Sequence, residues 1–298
     1  MTTVSIAIPT YGRDAVLVDT LRCVLDLDPR ADEVLVIDQT PRHDEATERQ
    51  LTAWSQQGTI RWLRLDRPSI PHAMNEALRS ATSEVVLFLD DDLVPSRELV
   101  ARHRSAIETR RADAVVGQIL QPGERPFPFA DRKRSRIDDL EFPFNASSGA
   151  AVTNVMAGNL AVVRERALAI GGFDENFTTT AYRFETDFAW RLLDAGGTIW
   201  FEPSASIDHL KADRGGLRVW GEHLRSASPA HSTGDYYFAL MNLPRASRLG
   251  YFARRLRRNA FSRFDVTHPW WIPVKVVREA RALLQAFALA RRGRATMS

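Results

Sequence analysis

The feature that most constrains this chain is the apolar run Val85-Val86-Leu87-Phe88-Leu89, which ends in three consecutive aspartates, Asp90, Asp91 and Asp92. A continuous pentapeptide with no polar alternation reads as a strand buried on both faces, as in a parallel sheet covered by helices. Ligands of open α/β sheets bind outside the carboxyl ends of the strands. The aspartates therefore stand where hard oxygen donors can hold a divalent cation and the phosphates it carries. These residues alone leave a second reading open: a solvated acidic turn, with Pro95 and Ser96 starting the next helix.

The flanking pattern supports the sheet. Val4-Ile6-Ile8 is a strand, Val16 to Leu25 a helix, Val34 to Ile37 a strand ending at Asp38, and Asp44 to Gln57 a polar helix. Ile60 to Leu65 and His72 to Ala81 repeat the alternation before the aspartate strand, and short crossovers predict a parallel, right-handed arrangement. A helix at Arg97 to Thr109 and a strand at Ala114 to Leu120 follow. The stretch from Gln121 to Ala150, with four prolines, reads as a long functional or mobile loop. Regularity returns at Met156 to Val163; Glu185 to Asp194 is a helix closed by Gly196-Gly197, and Thr198 to Glu202 is a strand. The expected division is a body, residues 1–225, and a helical extension, residues 226–298.

Composition matters in three places. With 298 residues and 44% hydrophobic content, the chain can bury a sizeable core. The single cysteine, Cys23, excludes an intrachain disulfide and a multi-cysteine metal site. Neither a secretory leader nor an apolar run near the ~20 residues of a membrane span is evident, so the expected location is cytoplasmic or at the cytosolic face of a membrane. The net charge of +3 is also unevenly divided: residues 245–298 carry thirteen Lys and Arg against two acids, or +11, which leaves −8 on residues 1–244.

Pro9-Thr10-Tyr11, Asp38 and the aspartate triplet all close strands, which sets them along one rim. An acid ending the second strand suits a ribose or base, although Asp38 also fits a turn before Thr40-Pro41.

Ile8-Pro9-Thr10-Tyr11-Gly12-Arg13 resembles the opening motif of the family 2 glycosyltransferases, and Leu87 to Asp92 resembles their DXD motif. Gly171-Gly172-Phe173-Asp174-Glu175 and Glu185-Thr186-Asp187-Phe188-Ala189-Trp190-Arg191-Leu192 are similar to the family's GGFDE and acceptor-side ED segments. His209 matches the histidine that often completes the metal site. The likeness covers roughly residues 4 to 210. It implies a GT-A fold, meaning a mostly parallel α/β sheet flanked by helices, together with a nucleotide-diphosphate-sugar donor and inversion at the anomeric carbon. It further implies donor contacts from Pro9, Thr10, Tyr11, Arg13, Asp38, Asn75, Asp90 and Asp91, and a metal site of Asp92 and His209 for Mn²⁺ or Mg²⁺. Of the triplet, Asp91 is the residue free to face elsewhere. The resemblance places Glu185 first and Asp187 second as the base that takes the acceptor's proton; helix capping accounts for either carboxylate equally simply.

Two departures are visible. Methionine precedes Asn75 where many members have arginine, which leaves Arg67 and Arg214 as candidate diphosphate contacts, and Gln39 follows Asp38. In the tail, Val276, Val277, Ala280, Leu284 and Phe287 fall on one helical face, with Arg278, Arg281 and Gln285 on another. This fits a helix on an anionic membrane, and it fits equally an extension packed on the body or on a second copy of the chain. The expected acceptor is a hydroxyl on a glycan, a lipid-linked intermediate or a natural product, and nucleic acid is not an expected partner. The competing readings are a sugar nucleotidyltransferase, which lacks its Gly-rich basic loop here, and a non-catalytic membrane- or nucleic-acid-binding scaffold.

Overall fold

A computed structural model of the protein describes residues 1–129, 135–178, 180–217, 226–260 and 263–297. Its centre is a nine-stranded mixed sheet. The strands β1 (Val4–Thr10), β2 (Glu33–Asp38), β3 (Arg61–Arg64) and β4 (Val85–Leu89) are parallel, in the order β3-β2-β1-β4. Three helices make their crossovers: α1 (Ala15–Leu25), α2 (Glu45–Gln56) and α3 (Ile70–Ser80). All five residues of β4 are buried, as its unbroken apolar pattern requires.

Beyond β4 the sheet changes character. β5 (Leu93–Pro95) leaves the triplet directly, and α4 (Leu99–Arg110) and β6 (Ala114–Leu120) follow. Next come β7 (Ala150–Ala151), β8 (Asn159–Val163), α5 (Arg164–Ala169), α6 (Phe184–Asp194) and β9 (Ile199–His209). β8 lies antiparallel between β4 and β6; β9 runs parallel to β6, with β5 and β7 antiparallel to it. Pro95 and Ser96 thus do not open a helix: Pro95 ends an edge strand, where its missing N–H costs no ladder bond. The last strand also runs well past Glu202. Its register against β6 shifts between Gly117 and Gln118, and Pro203, Ser204 and Ala205 bulge out. Gly117 is needed there, since a Cβ would stand 2.2 Å from the Ala205 carbonyl oxygen.

In the 121–150 segment residues 122–128 are exposed, whereas Asp139, Phe142, Phe144 and Ala146 are buried against the body. Phe142 sits 5.2 Å from Phe144 and 5.0 Å from Phe201, ring centre to ring centre, and a 3-10 turn spans Asp138–Glu141. Phe173 is fully buried, edge-on to Phe88 and stacked on Phe188, so the GGFDE segment is wedged between β4 and α6.

The expected boundary at residue 225 lies outside the described residues. After it come α7 (Ala230–Asn242), α8 (Arg245–Ala260), α9 (Arg263–Thr267) and α10 (Trp271–Arg292). The extension is anchored to the body. The Met297 amide donates to the Gly171 carbonyl at 2.8 Å, the Ala295 amide to Asp174 Oδ1 at 3.0 Å, and Arg294 pairs with Asp187 at 2.5 Å. α10 does not divide as the periodicity predicts: Arg278 is on the inner side, whereas Arg281 and Gln285 share the outer side with the apolar residues. Ala282 and Ala286 are fully buried, and Lys275, Arg278 and Glu279 are buried with them; Val277 (58% exposed) and Leu284 (70% exposed) point outward beside Arg281 and Gln285. Small alanines let this helix sit close to its support, and its buried charges reach carboxylates there.

Candidate active site

The triplet closes β4 next to the end of β1, and its three carboxylates have different surroundings. Asp91 turns inward, where it accepts from Thr10 Oγ1 at 2.7 Å and from Arg13 Nε at 3.2 Å. Burial, reinforced by the neighbouring Asp92 and Asp90 charges, pushes its carboxyl up to about 7 against the pull of Arg13 and Thr10. Asp92 accepts from the Ala212 amide at 2.8 Å and from Arg13 at 3.2 Å. Although burial opposes its charge, His209, Ala212 and Arg13 hold its carboxyl below the usual value. Asp90 is half exposed.

His209 arrives through a pairing invisible in local sequence: β5 folds back onto β9 with Leu93 opposite His209. Its Nε2 stands 3.3 Å from Asp92 Oδ1 and 3.5 Å from Asp90 Oδ2. Burial opposes the imidazolium, yet the hydrogen bonds to both aspartates push its pKa up to about 9. Cation binding uses the neutral ring and so releases this proton. Among the described residues no cluster of three or more His, Cys, Asp and Glu forms a ready-made metal cage. Asp92 and His209, with the half-exposed Asp90 beside them, are the donor types that suit a cation whose shell is completed by phosphate and water. Gly158 makes room for Asp90, because a Cβ there would meet Asp90 Oδ2 at 2.2 Å.

These groups open into a cavity of about 520 Å³, which Pro9, Thr10, Tyr11, Arg13 and Glu185 also line. Glu185 lies in the first turn of α6, whose positive end favours a carboxylate. Asp187 faces the interior. It is fully buried and takes Arg191 Nε at 2.8 Å, Asn242 Nδ2 at 2.8 Å and Arg294 at 2.5 Å, so it joins α6 to α7 and the C-terminal segment.

Three further residues differ from expectation in what they touch. Arg13 lines the cavity but its guanidinium is engaged by Asp91, Asp92 and the carbonyls of Ala212 and Arg214. Asn75 does not line it; Asn75 exchanges two hydrogen bonds with the backbone of Phe173 and fixes the GGFDE segment. Asp38, 1% exposed, accepts from Trp62 Nε1 and the Thr40 amide and pairs with His43 Nε2, and its neighbour Gln39 reaches the cavity instead. Of the candidate diphosphate contacts, Arg67 pairs with Glu175 and the Arg214 side chain is exposed; neither lines the cavity. Lys211, which sequence reading passed over, does, two residues beyond His209.

Residues 5–171 match the family model Glycosyl transferase family 2. The Pre-mycofactocin glycosyltransferases of two Mycobacterium tuberculosis strains, CDC 1551 / Oshkosh and H37Rv, are each 29% identical over 153 residues, 50% of this chain and 31% of theirs. The chain thus spans about a third of the length of these curated relatives. The crystal structure of GalNAc-T7 with UDP, GalNAc and Mn²⁺ superposes with a TM-score of 0.65 at 14% identity, covering 95% of this chain and 58% of that one. The mannosyltransferase PcManGT from Pyrobaculum calidifontis, in complex with GDP-Man and Mn²⁺, gives 0.57 at 19% identity, covering 98% and 79%. S. aureus TarS gives 0.58 at 14% identity, covering 88% and 44%. The mixed sheet with its flanking helices is the GT-A fold, and the chain belongs to glycosyltransferase family 2.

Proposed function

We propose that this protein transfers a sugar from a nucleotide-diphosphate-sugar donor to a hydroxyl acceptor, with inversion and with Mn²⁺ or Mg²⁺ held by Asp92 and His209 beside Asp90. The observation that carries this reading is that Asp90, Asp92, His209 and Glu185 all open into one cavity. The ligands named for GalNAc-T7 and PcManGT, UDP or GDP-Man with Mn²⁺, are of the same class. The bound cation supplies positive charge opposite the departing diphosphate. Lys211 meets remaining phosphate charge, while Arg13 keeps Asp91 and Asp92 in position. Glu185 accepts the proton of the acceptor hydroxyl as that oxygen bonds to the anomeric carbon, on the face opposite the breaking bond to phosphate. Asp187 does not share this role because its oxygens are enclosed by three donors. Glu185→Gln tests the assignment: transfer falls about 10²–10⁴-fold while donor affinity stays within threefold. Product of retained anomeric configuration, read by NMR, contradicts the inverting mechanism.

The outer face of α10 supports a peripheral membrane contact for the extension. Trp270, Val276, Val277, Leu284 and Phe287 are exposed, flanked by exposed Arg281, Arg291 and Arg292. At about 1 kcal/mol per basic residue near an anionic surface, three arginines give reversible attachment, which the apolar ridge strengthens. Among the described residues no helix is long and apolar enough to cross a membrane. Co-sedimentation with anionic vesicles, lost in Leu284→Asp, checks the contact.

A further inference from the structure

A second cavity, of about 510 Å³, lies where the extension meets the body. Six cationic side chains line it, Arg183, Arg254, Arg255, Arg258, Lys275 and Arg278, with only two carboxylates, Glu141 and Asp235. Asp265 and Glu279 reach the same cations from behind, 2.5 Å from Lys275 and 3.1 Å from Arg278. Six cations against four carboxylates leave two positive charges unbalanced. Arg254 has no hydrogen bond or ion pair among the described residues. The Arg255 side chain is nine-tenths buried, and its Nε, 3.4 Å from Glu279 Oε2, has no hydrogen-bond partner. Its other nitrogens are held by Asp235 and by the His231 carbonyl, and burial pushes the guanidinium down to about 10 against the pull of Glu279, so it remains a buried cation with one donor unused.

Position connects this cavity to the donor site. Tyr182 and Arg183 line it, whereas the next two residues, Phe184 and Glu185, line the acidic cavity. Left-handed backbone at Ala181 (φ 46°) and Arg183 (φ 72°) makes the turn that sends successive pairs to opposite sides. Two residues span at most roughly 7 Å between Cα atoms, so the two cavities adjoin across this turn and an extended acceptor can reach from one to the other. Tyr182 adds a ring beneath the cations, with the Arg183 guanidinium 5.0 Å and the Arg255 guanidinium 5.9 Å from its centre.

We infer that this arginine-lined cavity is an anion subsite that holds a phosphate or carboxylate of the acceptor, placing the acceptor's hydroxyl at Glu185. The inference rests on the transferase reading above and narrows it to acidic acceptors. Guanidinium forks suit both anions through paired N–H donors.

Calorimetry on the full chain with inorganic phosphate, glycerol phosphate and neutral glycerol tests it. Both phosphates bind saturably, glycerol does not, and Arg254→Gln with Arg258→Gln weakens binding at least tenfold, while nucleotide diphosphate with Mn²⁺ binds the variant as before. Absence of phosphate binding, or equal binding by the variant, overturns the subsite. A second arm follows nucleoside diphosphate release from a UDP- or GDP-sugar. Glycerol phosphate raises that rate several-fold and inorganic phosphate competes with it. Equal stimulation by both, or by neither, marks a regulatory anion site and overturns the acceptor assignment. Anion binding in a protein that binds no nucleotide removes the transferase reading itself, a separate failure.

Discussion

Two cavities of nearly equal size, about 520 and 510 Å³, differ in charge and in origin. The first gathers carboxylates at strand ends, where the sheet itself sets their spacing. The second gathers cations from the entry to α6 and two helices of the extension, α8 and α10. Charge accumulated at strand ends is held apart by a rigid ladder and suits a cation. Charge accumulated between helices is partly neutralised by buried acids and retains an excess suited to an anion. A ligand bridging the two would be neutralised at both ends.

The largest expected effect breaks the acidic side. Asp92→Ala removes the proposed metal ligand together with the acceptor for Ala212 and Arg13, so turnover, followed by nucleoside diphosphate release, is expected to fall by about 10³-fold or more. On the cationic side, Glu279 compensates Arg255 and Arg278, and Glu279→Gln leaves those charges buried without it. Chemical denaturation at pH 7 is expected to show a loss of about 3–5 kcal/mol.

The same residue gives the cationic side its pH dependence. Burial opposes the Glu279 charge, but Arg255, Ser232, Tyr236 and Arg278 outweigh it and hold the carboxyl below its ordinary 4.5. A folded-state pKa below the unfolded one gives stability that is complete above about pH 4.5 and lost as pH falls through the folded value. Amide protection factors in α7 and α10, corrected for the intrinsic slowing of exchange in acid, therefore fall on acidification in the wild type, and this fall is flattened in Glu279→Gln. A smaller change probes the acidic side by shape alone. Gly158→Ala displaces Asp90, so Mn²⁺-dependent nucleotide affinity is expected to fall about tenfold with the fold intact.

The two regions also differ in how far sequence revealed them. The unbroken run Val85 to Leu89 announced a buried strand, and the β1 to β4 parallel array followed from alternating periodicity. The chemistry of the acidic cavity was legible because its residues terminate those strands or sit in short recognisable segments. The β5–β9 pairing was not, because three residues, Leu93-Val94-Pro95, carry too little periodicity to outweigh a proline–serine helix signal. Asn75 and Asp187 were read as ligand-facing because a carboxylate or amide in a motif looks the same whether it meets a substrate or fixes a neighbouring loop. Only the partners, Phe173 for one and Arg294 for the other, tell them apart. The arginine cavity left no sequence signature, since its walls come from positions as distant as Glu141 and Arg278. The tail's pattern left a membrane helix and a packed extension equally open, and in the structure several of its cations point inward to acids.

The central claim is that the acidic cavity binds a nucleotide diphosphate through a cation held by Asp92 and His209. Its most direct test is calorimetric titration of the metal-stripped protein with UDP and GDP, each with and without Mn²⁺, in wild type and Asp92→Asn. The account predicts binding of at least one nucleotide that requires Mn²⁺ in the wild type and is lost or weakened at least a hundredfold in the variant. Equal binding with and without Mn²⁺, or an unaffected variant, would contradict it.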